Sequence, residues 1–289
     1  MRESERAAHA PLTLRNRTFV WGERTYIMGI INVTPDSFSG DGLARDLGAV
    51  VERARNFAVA GCDIIDVGGE STRPGHAPVD EHEEAQRVLP AVAAIRNALG
   101  QMPISIDTFK PTVAARALEL GADLINCVWG ALPGIPEIAA SRNVPLVIMH
   151  NRANPDYERD VVDEVIASLD RSCGDAIRAG VAAERIVIDP GIGFGKTAEH
   201  NLEILVRLRE FGRRLPYPLL IGTSRKSFIG KVTGLPVERR AFGTAASVAL
   251  AIAGGADIVR VHDVEDMIPV VQVADAIVRR RSRSVPSER

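Results

Sequence analysis

The sequence predicts an α/β protein, a single (β/α)8 TIM barrel preceded by a short N-terminal β-hairpin. Three observations carry this reading. About eight short apolar runs each lead into a helix-like segment; such alternation gives a parallel sheet, and eight units suggest closure into a barrel. The runs are almost wholly apolar, the pattern of strands buried on both faces. Finally, Gly61-Cys62, Gly121-Ala122 and Gly255-Ala256 each stand just before an Asp and a strand, as if one αβ turn were used three times. An open doubly wound sheet is the alternative arrangement of the same units.

Residues 1–11 read as a disordered lead-in, and Leu12 to Tyr26 as a hairpin turning near Gly22-Glu23. The first core strand is Ile27 to Val33, broken by the Gly- and Pro-rich stretch 34–42. A helix follows over about 46–60, then a strand Ile64 to Val67, a Gly-rich loop through Gly75, and a helix over about 81–99. The third strand is Ile104 to Asp107, with Pro111 suited to a helix first turn. Strands at Leu124 to Asn126 and Leu146 to His150 come next, and a long amphipathic helix ends near Gly180. The sixth strand, Ile186 to Asp189, precedes a helix-like run from Ala198 to Leu215. The seventh is Leu219 to Thr223, followed by a small-residue helix from Ala241 to Ala253. The eighth is Ile258 to Val261, with Asp263 placed to cap the last helix. No composition break divides the chain, so 12–280 form one domain with a flexible tail at 281–289.

A formal charge of −2, from 35 basic and 37 acidic side chains, argues against a nucleic-acid partner. The basic run Arg279-Arg280-Arg281 with Arg283 reads as a solvated helix end. Three scattered cysteines form neither a disulfide framework nor a zinc motif. The charged amino terminus lacks the apolar core of a secretory signal, and no apolar run is long enough to span a bilayer. A cytoplasmic protein without membrane contact is the expectation.

In a barrel, residues at the carboxyl ends of strands converge on one mouth. Here they are Asn32, Asp66, Asp107, Asn126, Met149, Asp189, Lys226, Arg260 and His262. Carboxylates and amides suit a ligand rich in N–H donors, and the cations suit an anion such as phosphate. Each has an ordinary structural reading too: an Asp can cap a helix, Lys226 can be a solvated loop residue, and His262 can be a satisfied core histidine. Arg260 is harder to explain that way, because a charge inside an apolar strand is costly without a partner. Met149 and Phe194 are either packing or a flat wall for a planar ligand. His150 and His200 read as structural. The run Gly191 to Thr197 ends like a phosphate-binding loop, but Pro190 occupies the place of the required first glycine, and Lys196 breaks the dinucleotide fingerprint.

Six ordered motifs resemble the dihydropteroate synthase family: Ile31 to Ser39, Asp66 to Gly75, Ser105 to Thr108, Asp189 to Lys196, Ser224 to Ser227 and Arg260 to Val264. The resemblance spans about residues 26–275. It implies a transferase of folate biosynthesis that joins 6-hydroxymethyl-7,8-dihydropterin diphosphate to 4-aminobenzoate, with magnesium bound, in a homodimer. It further implies that Asp107, Asn126 and Asp189 hold the pterin, with Met149 in the same pocket. Lys226 would reach the pterin carbonyl, Asn32 would bind the metal, and Arg260 and His262 would meet the diphosphate. Thr72, Arg73, Pro74, Phe194 and Ser227 would shape the aminobenzoate site, also the sulfonamide site. The loops 34–43 and 68–78 would fold over the site. The sequence departs from the family at Cys127, where Asp usually follows the Asn, and at Ser39-Gly40-Asp41-Gly42. A methyltetrahydrofolate–corrinoid methyltransferase could share the pterin residues, and a non-catalytic pterin-binding paralogue could share all of them. Ser71 to Gly75 and Ser224 to Ser227 favour the synthase.

Overall fold

Alternation along the strands divides the apolar residues between two cores, and closing the sheet on itself satisfies both. The structure is a computed structural model that describes residues 9–34, 46–70 and 79–279. The core strands are β3 (Tyr26–Asn32), β4 (Ile64–Gly68), β5 (Ile104–Asp107), β6 (Leu124–Cys127), β7 (Leu146–Met149), β8 (Ile186–Asp189), β9 (Leu220–Ile221) and β10 (Ile258–Val261). All pair in parallel, in the order β8-β7-β6-β5-β4-β3-β10-β9. A bridge between Ile188 and Leu219 joins the two ends of that order into a ring.

Helices α1 (Leu47–Ala60), α2 (Glu81–Ala98), α3 (Pro111–Glu119), α4 (Ile135–Arg142) and α5 (Val161–Arg178) cover the first half of the ring. The second half is covered by α6 (Ala198–Val206), α7 (Arg209–Arg214), α8 (Ser227–Thr233), α9 (Ala241–Ala253) and α10 (Val264–Val278). Asp46, Asp80, Asp160 and Thr197 cap α1, α2, α5 and α6 by accepting a backbone N–H of the first turn. Outward strand residues such as Ile65, Ile106, Ile148 and Val259 pack with helix residues in one large core. Inward residues Met28, Ile64, Leu124, Val147, Val187, Leu220 and Ile258 form a second core inside the barrel.

The inner core is closed from below by a hairpin, β1 (Leu12–Leu14) paired antiparallel with β2 (Arg17–Phe19); it turns at Arg15-Asn16, where Arg15 takes φ of 55°, and not near Gly22-Glu23 as expected. Leu12, Leu14 and Phe19 join the inner cluster, and Phe19 stacks with Trp21 and Tyr26. The Trp21 indole N–H donates to the Ala10 carbonyl at 3.0 Å. Residues 1–8 and the tail 281–289 lie outside the described residues.

The thrice-used turn is present, and its purpose is visible. Gly61, Gly121 and Gly255 adopt φ of 104°, 106° and 102°, conformations that favour glycine. The Asp two residues on, at the foot of the new strand, accepts a backbone N–H from the strand before it. Asp63 binds Ile27 N at 2.9 Å, Asp123 binds Ile104 N at 2.9 Å, and Asp257 binds Leu219 N at 2.8 Å.

Three further expectations are corrected. The run from Ala198 to Leu215 is two helices rather than one: shorter-range bonds from Glu210 N to Arg207 O and Phe211 N to Leu208 O tighten the chain there, and both Leu208 and Phe211 reach the core. The seventh strand is shorter than expected, Leu220–Ile221, with Leu219 adding only the bridge to Ile188. Arg279 is not a solvated helix end: its guanidinium donates to Asp275, Gly22 O, Thr25 Oγ1 and Ala256 O, fastening α10 under the barrel. Arg280, Arg281 and Arg283 lie outside the described residues.

Because the hairpin plugs the end opposite the mouth, its loss should act on stability rather than chemistry. Phe19→Ala should lower unfolding free energy by about 3–5 kcal/mol, read by urea denaturation. The variant should keep its ligand affinity at temperatures where it stays folded.

Candidate active site

The inward positions that are apolar at the bottom of the ring become polar two residues further up. Ile64 gives way to Asp66, Leu124 to Asn126, Val187 to Asp189, and Ile258 to Arg260 and then His262. Asn32, Gly68, Asp107 and Asn126 lie in one row of the strand register, and Met149 lies beside Asp189. Lys226 stands just before α8 and Ser227 is its first, exposed residue. Of the positions expected at the mouth, Thr72, Arg73 and Pro74 lie outside the described residues, as do most of the loops 34–43 and 68–78.

Arg260 organises the centre. Its Nε donates to Asp66 Oδ2 at 2.6 Å and its Nη2 to Asp107 Oδ2 at 2.6 Å. Burial works against its charge, yet Asp66 and Asp107 hold the guanidinium above its usual range. One guanidinium serves two carboxylates. Burial therefore prevails at Asp107 and pushes its carboxyl up to about 7, opposed by Arg260 and assisted by Asp66 and Glu84. Burial also lifts Asp189 to about 6, although its Oδ1 accepts the Gly191 N–H at 2.7 Å. The Asn126 amide donates to Asp66 Oδ2 at 3.3 Å. Asp66 thus orients both Asn126 and Arg260, a support that the sequence departure at Cys127 leaves intact. Asp66 Oδ1 and Ser105 Oγ are buried with no hydrogen-bond partner among the described residues. A floor of buried acceptors suits a ring edge bearing several N–H groups.

The Cys127 thiol is fully buried and pushed up to about 11 by that burial, so it is no nucleophile. His262 is buried, with Nδ1 3.0 Å from Ser224 Oγ and its backbone N–H donating to the same oxygen. It borders a cleft of about 410 Å³ with Arg53, Asn56 and Asp263. Asp263 does not cap α10 with its side chain as expected; its carboxylate instead takes both forks of Arg225, one at 3.0 Å. That pair holds the Ser224–Ser227 segment against the end of β10.

Above the polar floor stands an apolar wall. Met149, Phe194 and Val128 cluster, with Phe109 against them. Lys226 Nζ lies 3.7 Å over the Phe194 ring, a cation–π contact. A Cβ on Gly193 would meet the Lys226 stem at 2.8 Å, so glycine is what lets that lysine cross the turn. Phe109 and Val128 are absent from the residues singled out by sequence; each follows a strand-end polar residue, and only packing shows which way its side chain turns.

A parallel barrel with acceptors, amides and cations gathered over a flat apolar wall defines a pterin-binding enzyme, and residues 28–262 match the family model described as pterin binding enzyme. More narrowly, the chain belongs to the dihydropteroate synthase family. It is 46% identical over 279 residues to the dihydropteroate synthase of Synechocystis sp., covering 93% of this chain and 96% of that one. It superposes on the Clostridium difficile dihydropteroate synthase crystallised in the presence of pteroic acid with a TM-score of 0.84 at 45% identity, covering 90% and 98% of the two chains. For the Xanthomonas albilineans dihydropteroate synthase with 4-aminobenzoic acid the TM-score is 0.86 at 39% identity, covering 93% and 98%.

The ring N–H groups of a pterin need acceptors, so protonation of the floor opposes binding. Pterin affinity should be highest above neutral pH and fall as pH drops through about 7 at Asp107 and then about 6 at Asp189. Calorimetric titration with a pterin analogue across that range checks this, and a flat profile would contradict it.

Proposed function

We propose that this protein is the transferase that joins 6-hydroxymethyl-7,8-dihydropterin diphosphate to 4-aminobenzoate, giving 7,8-dihydropteroate and diphosphate. The observation that carries the reading is the two-ended mouth: Asp107 and Asn126 in one register row, Asp189 at the end of β8, and Lys226 over Phe194. Asp107 and Asp189 accept from the pterin ring N–H and exocyclic amine, and Asn126 reads the same edge. Lys226 donates to the pterin carbonyl. Met149 lies along the ring face. Phe194, Ser227 and the Thr72-Arg73-Pro74 segment shape the aminobenzoate site, where sulfonamides would compete.

Cleavage of the C–O bond leaves negative charge on the diphosphate and positive charge on the pterin methylene. Fixed cations at the departing end lower that barrier electrostatically. Arg260 and His262 supply this end, and the Arg260 ion pairs also orient Asp107 for the pterin. The aniline-type amine of the second substrate attacks the methylene carbon unaided, which is why no activated side-chain nucleophile is required.

Magnesium fits as an ion carried by the diphosphate. Among the described residues no group of three His, Cys, Asp or Glu side chains could hold a metal. A magnesium ion commonly takes only one or two protein ligands beside substrate phosphates and water. The Asn32 amide oxygen, in the same register row as Asp107, is the ligand we assign. When bound, the ion would offset the charge of the leaving group.

The oligomer we assign is a homodimer formed through α9 and α10, supported by exposed apolar side chains along both helices. Phe242 is 90% exposed and Leu250 66%, with Val273 and Ile277 on the neighbouring helix. Lone exposed apolar residues are ordinary; a group on adjacent helices marks a contact surface. No helix among the described residues is long and apolar enough to cross a membrane. The free, buried state of Cys62, Cys127 and Cys173 supports a cytoplasmic setting.

Purified protein with both substrates and magnesium should form dihydropteroate and diphosphate in equal amounts, and Lys226→Ala should lose about a hundredfold or more in kcat/KM. Pterin binding without product would instead establish a non-catalytic pterin-binding protein. Phe242→Glu should shift the species seen by light scattering from dimer to monomer.

A further inference from the structure

The turn after β8 is built around a lysine that the reaction above leaves without a role. Lys196 Nζ lies 3.0 Å from Gly191 O, 2.9 Å from Phe194 O and 2.9 Å from His150 Nδ1. Two carbonyls and one ring nitrogen around Nζ use the hydrogen-bonding capacity of the amino group in full, and burial, opposed by Asp189, presses that group down to about 7. Burial, with Lys196 itself adjacent, presses His150 down to about 3, so the imidazole is neutral. The neutral ring pairs with Nζ through Nδ1, accepting from the protonated amine or donating to the neutral one.

Two of these contacts bear directly on the wall of the site. The Phe194 N–H donates to Gly191 O at 3.1 Å, and Lys196 grips that same carbonyl together with the carbonyl of Phe194 itself. The Lys196 amino group therefore closes the turn on both sides of the aromatic residue. The turn has little room to adopt another path: a Cβ on Gly191 would fall 1.9 Å from the His150 carbonyl oxygen. His150 in turn is fixed to the pterin floor, since its backbone N–H donates to Asp189 O at 2.8 Å. The chain of contacts runs from β7, through His150 and Lys196, to the ring that lies under Lys226.

We propose that Lys196 is a positioning residue for the second substrate: its side-chain nitrogen, braced on His150, sets the Phe194 wall on which the aminobenzoate ring rests. This rests on the synthase reading and on Phe194 as part of the aminobenzoate site. Lys196 touches neither substrate. The pterin floor keeps its own bonds, those of Arg260, Asp66 and Gly191 N–H, and Lys196 reaches Asp189 only by charge, so loss of the Lys196 nitrogen should tell on one substrate more than the other.

The test is steady-state kinetics on the whole enzyme, varying each substrate in turn. Lys196→Met should raise KM for 4-aminobenzoate about tenfold or more, with KM for the pterin diphosphate changed less than about threefold. His150→Ala should reproduce that split, and His150→Asn, which keeps an acceptor near the Nδ1 position, should restore most of it. Thermal unfolding of each variant shows that it is folded, and if Lys196→Met does not fold, the His150 pair decides the matter with the lysine in place. Equal rises in both KM values, no rise in either, or equal behaviour of His150→Asn and His150→Ala would overturn the proposal. A wild-type chain that makes no dihydropteroate would sink the reaction and the proposal together. A wild-type chain that does, without the split in its variants, would sink the proposal alone.

Discussion

The site depends on one guanidinium inside the barrel. Arg260 projects inward from β10 and ends between Asp66 of β4 and Asp107 of β5, across the ring from its own strand's outer face. An unpaired charge there would be costly, and so would either carboxylate alone. Together the three offset one another's charge, and the Asp66 oxygen that meets Arg260 also accepts from Asn126. The fold thereby converts a destabilising set of residues into a rigid floor of acceptors. Burial, which one base shared between two acids does not offset, is what pushes Asp107 up to about 7.

The barrel makes that floor possible by dividing its interior along the strand axis. Side chains two residues apart on one strand face the same way, so a single strand supplies an apolar residue to the lower core and a polar one to the mouth. Leu124 and Asn126 are separated by one turn of the pleat, yet one is sealed by the hairpin and the other faces ligand. Stability and chemistry therefore occupy opposite ends of the same strands.

Most of this was legible in the sequence because the signals were local. Apolar runs marked the strands, and the polar residue ending each run marked the mouth. The three Gly-Cys or Gly-Ala turns were legible for the same reason: a glycine at positive φ followed by Asp is a short-range pattern. What escaped was decided by distant partners. Asp263 occupies a capping position in the chain, but Arg225, brought from another βα unit, claims its carboxylate. Arg279 looked like a solvated charge until the carbonyls of Gly22 and Ala256 surrounded it. Lys196 ends both the Asp189 to Lys196 motif and a failed nucleotide motif but has no role in either, since nothing in the sequence near it shows that His150 lies 2.9 Å away.

The Asp clamps at the strand feet have a bearing on how the molecule assembles. Each joins strands that are consecutive in the chain: β3 to β4, β5 to β6, and β9 to β10. Such pairings enclose short stretches of chain and carry little loop-closure entropy. The pairing of β3 with β10 is different, because it brings Tyr26 beside Ile258 across almost the whole sequence. That long seam is reinforced from below, where both oxygens of Asp275 hold Thr25 at 2.7 Å. The last helix thus acts as a latch on the first strand. With that seam open the ring is one sheet running from β3 round to β10, and Arg260 on its last strand is at the opposite edge from both of its carboxylates.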